Sequence, residues 1–175
     1  MHTDFIELLN DWKNFLSEIE TKMQLSIKVI LDELKDNNKI HSIFFEYHWD
    51  LMNIGFIAKD KNKNILVNKY DLLLDEIYAK TNVKPLEQTL FPLDLLRRQV
   101  ELDDPEIYVL YNEYDREKCN IFEEWFKSCW DKVARERKHI SKAFLHKEHS
   151  DHLWDLNKNK EVKIKERDIK EILWK

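Results

Sequence analysis

Three side chains spaced two apart, Glu46, His48 and Asp50, are the first place in the chain where chemistry could gather. On a β-strand alternate residues share a face. This carboxylate, imidazole and carboxylate would then stand together, with Phe45, Tyr47, Trp49 and Leu51 facing the other way. Such a trio can ligate a divalent cation or pair as general acid and base, because imidazole titrates near neutrality. The plainer alternative is the wet face of a half-buried antiparallel strand, which alternates in the same way.

A second gathering is His146, His149 and His152, with His139 upstream. On a helix, histidines at i, i+3 and i+6 fan over roughly 120°, so two could share a metal and three could not do so well. Zinc sites usually carry paired CxxC or HExxH, and neither occurs. Exposed loop histidines are therefore expected, with metal ligation by His146, His149 and His152 the weaker alternative. Cys119 and Cys129 are the only cysteines, too few for a disulfide framework. Ten positions apart on one helix, their Cα atoms would be ~15 Å apart, beyond bridging distance. Both are expected as reduced thiols, and Cys129, between Phe126 and Trp130, as a core residue.

The single glycine, Gly55, excludes more than any motif suggests. Phosphate-cradling loops, dinucleotide turns and nucleophile elbows need glycines where backbone approaches ligand or takes positive φ. One glycine inside an apolar run supplies none of them, so no cofactor is expected and catalysis is disfavoured.

The elements that must position these residues read as follows. Asp4 with Glu7 makes a capping box ahead of the stripe Phe5, Leu8, Leu9, Trp12, Phe15, Leu16 and Ile19, an amphipathic helix. Residues 23–35 fit strand alternation and helical spacing alike, and good helix formers tip them to helix, stopped at Asp36-Asn37-Asn38. A hairpin is expected over about 43–68, turning at Asp60-Lys61-Asn62-Lys63-Asn64, with Asn62 or Asn64 left-handed. A helix over residues 70–80 and a proline-broken stretch over 82–98 follow. Asp104-Pro105 starts a long helix, about 105–137, carrying Phe122, Trp125, Phe126 and Trp130. A second hairpin is expected over about 152–165, and a short helix over 166–174. The class is thus α+β: a helix-rich single domain, 1–175, with a small antiparallel sheet built from two hairpins. No internal repeat is evident.

A 43 % apolar and 12 % aromatic share argues for a packed core rather than disorder. The net charge of −5 disfavours nucleic acid, although Arg97, Arg98 and the Lys132–Lys142 cluster (Arg135, Arg137, Lys138) are locally basic. The opening residues lack a basic n-region followed by an apolar h-region, and no apolar run reaches the ~18 residues of a bilayer span, so a cytoplasmic, non-membrane protein is expected.

With no catalytic signature, the function expected is a non-enzymatic protein-binding module of immunity, inhibitor or regulatory type. It would present the acidic residues Glu101, Asp103, Asp104, Glu106 and Glu113, with Trp125, to a protein partner of basic character. The alternative is a metal-dependent hydrolase or small-ligand binder centred on Glu46, His48 and Asp50. Oligomeric state is not legible.

Overall fold

The computed structural model describes residues 3–47, 54–69, 105–134, 142–148, 150 and 152–163, with the side chains of 3–5, 105–108, 110, 111, 152 and 163 excepted. The chain divides into two compact units, one of residues 1–20 and 74–125, the other of residues 21–73 and 126–175. The helices over 70–80 and 166–174 and the broken stretch 82–98 lie outside the described residues.

Helix α1 runs without interruption from Thr3 to Leu34, which resolves the ambiguity over 23–35. Leu9, Trp12, Leu16, Ile19, Met23, Ile27, Ile30, Leu31 and Leu34 are buried at three- and four-residue intervals, the stripe a core-facing helix requires. It stops where Asn37 turns the chain: Asn37 N–H donates to Leu34 C=O at 3.1 Å, and Ile40 N–H donates to Asn37 C=O at 3.0 Å. Strands β1 (Ile40–Tyr47), β2 (Ile54–Asp60) and β3 (Ile65–Lys69) follow as an antiparallel meander. The expected first hairpin is therefore three strands. Helix α2 (Pro105–Ala134) matches the expected long helix, and β4 (Lys142–Lys147), β5 (His152–Asp155) and β6 (Lys160–Lys163) form a second meander.

Both meanders lie in one six-stranded sheet of order β3-β2-β1-β4-β5-β6. The expectation of an antiparallel sheet is corrected here, because β1 and β4 pair in parallel, from Ser42 opposite Lys142 to Tyr47 opposite Lys147. Two meanders that meet by their first strands can run parallel only through a long crossover, which no local pattern announces.

Among the described residues the order helix-strand-strand-strand thus occurs twice, although no repeat is evident in the sequence. The buried positions Ile19, Met23, Ile27, Ile30 and Leu31 of α1 recur at the same intervals as Lys118, Phe122, Phe126, Cys129 and Trp130 of α2. The closing turns share the pattern Asp-x-Asn-Lys-Asn, at Asp60–Asn64 and Asp155–Asn159. Spacing is kept while side-chain identity is not, which hides the correspondence from simple comparison.

In the first turn, Asp60 Oδ1 accepts the N–H groups of Asn62 at 2.8 Å and Asn64 at 2.9 Å, and Oδ2 accepts the Asn64 side-chain amide at 2.8 Å. The Asn64 side-chain bond is the main reason the Asp60 carboxyl titrates below its ordinary range. With both Asn amides held on one carboxylate, Lys63 between them takes the left-handed conformation (φ 68°), not Asn62 or Asn64 as expected. In the second turn Asn159 does take it (φ 49°).

The core of the second unit centres on Phe45, fully buried, whose ring lies 5.1 Å from Phe126 and 5.7 Å from Trp130. Phe126, Cys129 and Trp130 are buried as expected, and both cysteines are buried outside any disulfide. On the opposite face Phe44 stacks on Phe144 at 5.1 Å beside Leu153 and Val162. In the first unit Trp12 stacks on Phe122 at 6.4 Å, and its indole N–H donates to Lys118 C=O at 3.2 Å. Among the described residues no helix is long and apolar enough to cross a membrane. Phe45→Ala should cost about 3–5 kcal/mol, the range for emptying a buried phenylalanine site. Urea denaturation should report this as a lowered midpoint, and a loss below about 1 kcal/mol would remove Phe45 from the centre of the core.

Candidate functional site

Strand β1 carries Ser42, Phe44 and Glu46 on one face and Ile43, Phe45 and Tyr47 on the other. All six are buried, so Glu46 does not stand on a wet face. That face is covered, since Phe44 on it packs with Phe144, Leu153 and Val162. His48 and Asp50 lie outside the described residues.

The structure brings Glu46 to a residue the sequence placed in a different group. Glu46 and His146 are register partners across the parallel β1–β4 pair, at 6 % and 2 % exposure. His146 Nδ1 lies 3.1 Å from Glu46 Oε2, and Nε2 lies 3.0 Å from the carbonyl oxygen of Ser150. Both partners are acceptors. The contacts are complete when both ring nitrogens carry hydrogen, or when the carboxyl of Glu46 supplies one of the two. Either way, neither ring nitrogen of His146 offers a lone pair to a metal or a substrate proton unless a buried contact breaks.

His146 is thus a buried strand residue rather than the exposed loop histidine expected. His152 lies at the start of β5, and His149 is outside the described residues. Among the described residues no group of three His, Cys, Asp or Glu side chains is placed to hold a metal ion. Gly55, the one glycine, is the register partner of Glu46 on its other side, and its φ is not positive. Its role is spatial: it sets no side chain against the Glu46 carboxylate from β2.

Lys59, which sequence reasoning did not single out, shares this face as the register partner of Ser42. It is 1 % exposed, with Nζ 5.9 Å from the centre of the Phe44 ring. Burial, and secondarily the charge of Lys63, push its amine below the ordinary lysine value of 10.5. The sequence signal was faint, a lysine that follows the apolar run Ile54 to Ala58.

Of the acidic residues expected to meet a partner, Glu113 is partly exposed on α2, while Glu101, Asp103 and Asp104 and the side chain of Glu106 lie outside the described residues. Trp125 is partly buried, with its ring 5.6 Å from Phe122 and its indole N–H enclosed without a hydrogen-bond acceptor. In the basic cluster, Lys132 and Lys142 are exposed, whereas Arg97, Arg98, Arg135, Arg137 and Lys138 are outside the described residues.

No known protein family matches this chain, and no curated protein or solved structure is significantly similar to it.

Glu46→Leu or His146→Leu alone leaves the other buried polar group without its partner and should destabilise by about 3–5 kcal/mol, while the Glu46→Leu, His146→Leu double replacement should cost clearly less. Denaturation of the two single and the double variant measures the coupling, and additive losses would show that the pair does not act as a unit. For Lys59 the sign follows from its lowered folded-state pKa. The unfolded chain binds the proton more tightly, so stability rises with pH from the depressed folded value up to the ordinary lysine range and then levels. Urea midpoints measured from neutral pH upward should show that rise in the parent chain, and the rise should be smaller in Lys59→Met.

Proposed function

We propose that this chain is a non-enzymatic protein-binding module of the immunity, inhibitor or regulatory kind. The observation that carries the reading is the state of Leu25 and Val29. Each is more than half exposed, at 56 % and 55 %, one turn apart on the same side of α1. Isolated apolar side chains on a surface are ordinary, but a paired stripe offers a partner contiguous area. Covering each would contribute roughly 1.5–3 kcal/mol on an area basis, less the ordering costs of association.

The polar chemistry points the same way. The best acid–base pair in the described residues, Glu46 with His146, satisfies itself inside the sheet. The acidic residues Glu101, Asp103, Asp104, Glu106 and Glu113, with Trp125, are proposed to steer a partner of basic character, an attraction that ionic strength weakens.

Immobilised full-length chain should retain one stoichiometric protein from native lysate of its source at low salt, with less at moderate salt. The Leu25→Glu, Val29→Glu variant alters exposed positions only and should keep its denaturation midpoint while losing that protein. Failure to recover a stoichiometric partner at either salt, or equal recovery by the variant, would overturn the reading.

A further inference from the structure

The two edges of the sheet are built differently. Strand β6 reads Lys160-Glu161-Val162-Lys163, charged at all but one position, which is how natural sheets discourage pairing at an edge. Strand β3 opens Ile65-Leu66-Val67, three apolar residues in a row, with Ile65 exposed. Its charge is at Lys69, whose Nζ is drawn 2.7 Å from Glu33 Oε2 on α1. Among the described residues no strand pairs with the outer side of β3.

The backbone of that edge can be assigned. Asp60 N–H donates to Asn64 C=O at 3.0 Å, so Asp60 faces β3, and by alternation so do Ala58 and Phe56. Their register partners are Val67 and Lys69, which leaves the N–H and C=O of Asn68 directed outward. The apolar run is preceded by two exposed cations, Lys61 and Lys63 in the turn, while Lys69 after it is already paired with Glu33. In a chain of net charge −5 this is a local reversal of sign.

We infer that the outer edge of β3 receives an extended segment of another protein, apolar at its centre and carrying carboxylates at the end that meets Lys61 and Lys63, which pairs with β3 as an added strand. Main-chain hydrogen bonds would supply affinity and the turn lysines the choice of partner. Glu33 and Val29 are one turn apart on α1, so the exposed stripe begins next to the Glu33–Lys69 bridge. A second copy of this chain fits the edge poorly. Antiparallel self-pairing centred on Val67 would set Lys69 of each copy opposite Ile65 of the other, towards its Lys61 and Lys63, and like charges at close range repel. The inference rests on the protein-binding reading and adds a second contact to it: an acid-flanked segment of the partner at this edge, apart from the basic surface that the acidic residues are proposed to steer.

The probe is the synthetic peptide acetyl-Glu-Asp-Val-Thr-Val-Thr-Val-Asp-Glu-amide, with a version carrying lysine at the four acidic positions as its counterpart. Titrated into isotope-labelled full-length chain, the acidic peptide should shift the backbone amides of residues 65–69 and slow exchange at Asn68. The lysine peptide should leave them unchanged. Asn68→Pro removes one outward donor and should weaken binding about 3- to 10-fold, as the loss of one hydrogen bond implies. Lys61→Glu with Lys63→Glu changes exposed turn positions and should reverse the preference, so that the lysine peptide binds the better. No shift at β3 with ~1 mM acidic peptide, the weak end of specific binding, would overturn the inference, as would a preference untouched by the charge reversal. Shifts at β3 that appear with rising protein concentration and no peptide would make a second copy the occupant and overturn it too. Peptide binding at β3 with no partner recovered from lysate would uphold the edge and sink the functional reading. A partner lost by the Leu25→Glu, Val29→Glu chain but kept by the turn-lysine variant would do the reverse.

Discussion

The parallel seam between β1 and β4 is the constraint from which the sheet follows. Each meander alone has three strands and two open edges, close to the minimum for a stable sheet. Joined along the seam, the first strands become central, and Ser42 through Tyr47 are buried without exception. Phe45 then meets Phe126 and Trp130 on one side, while Phe44 meets Phe144 on the other. The apolar content of the sequence finds its place because β1 is packed on two faces instead of one.

That burial also decides what the polar residues can do. A carboxylate enclosed at the centre of a sheet is costly unless a charged or hydrogen-bonding partner stands within reach, and His146 is that partner by register. The imidazole in turn reaches Ser150 C=O, so one side chain links β4, β1 and the turn that follows β4. Gly55 sits beside the pair and fills no space. Glu46 and His146, which belong to separate groups in one dimension, become an internal clamp in three.

Much of this architecture was legible along the chain. The four-residue rhythm of α1, the Asp104-Pro105 start of α2, the two Asp-x-Asn-Lys-Asn turns and the aromatic core of Phe126 and Trp130 all follow from local spacing and turn chemistry. Where expectation failed, the missing information was non-local. Glu46 read as solvent-facing because alternation cannot distinguish a strand with one wet face from one covered on both. Lys63, not an asparagine, became left-handed because the Asp60 carboxylate holds the amides on either side of it.

From its residues alone, this chain determined, within the described residues, its two long helices and the places of its turns, because those depend on side chains within a few positions of each other. The pairing of β1 with β4, the meeting of Glu46 with His146 and the difference between the two sheet edges were decided only by the tertiary structure. Each joins or compares positions about 100 residues apart, as the register of Ser42 with Lys142 shows, and no periodicity in a sequence carries information over that distance.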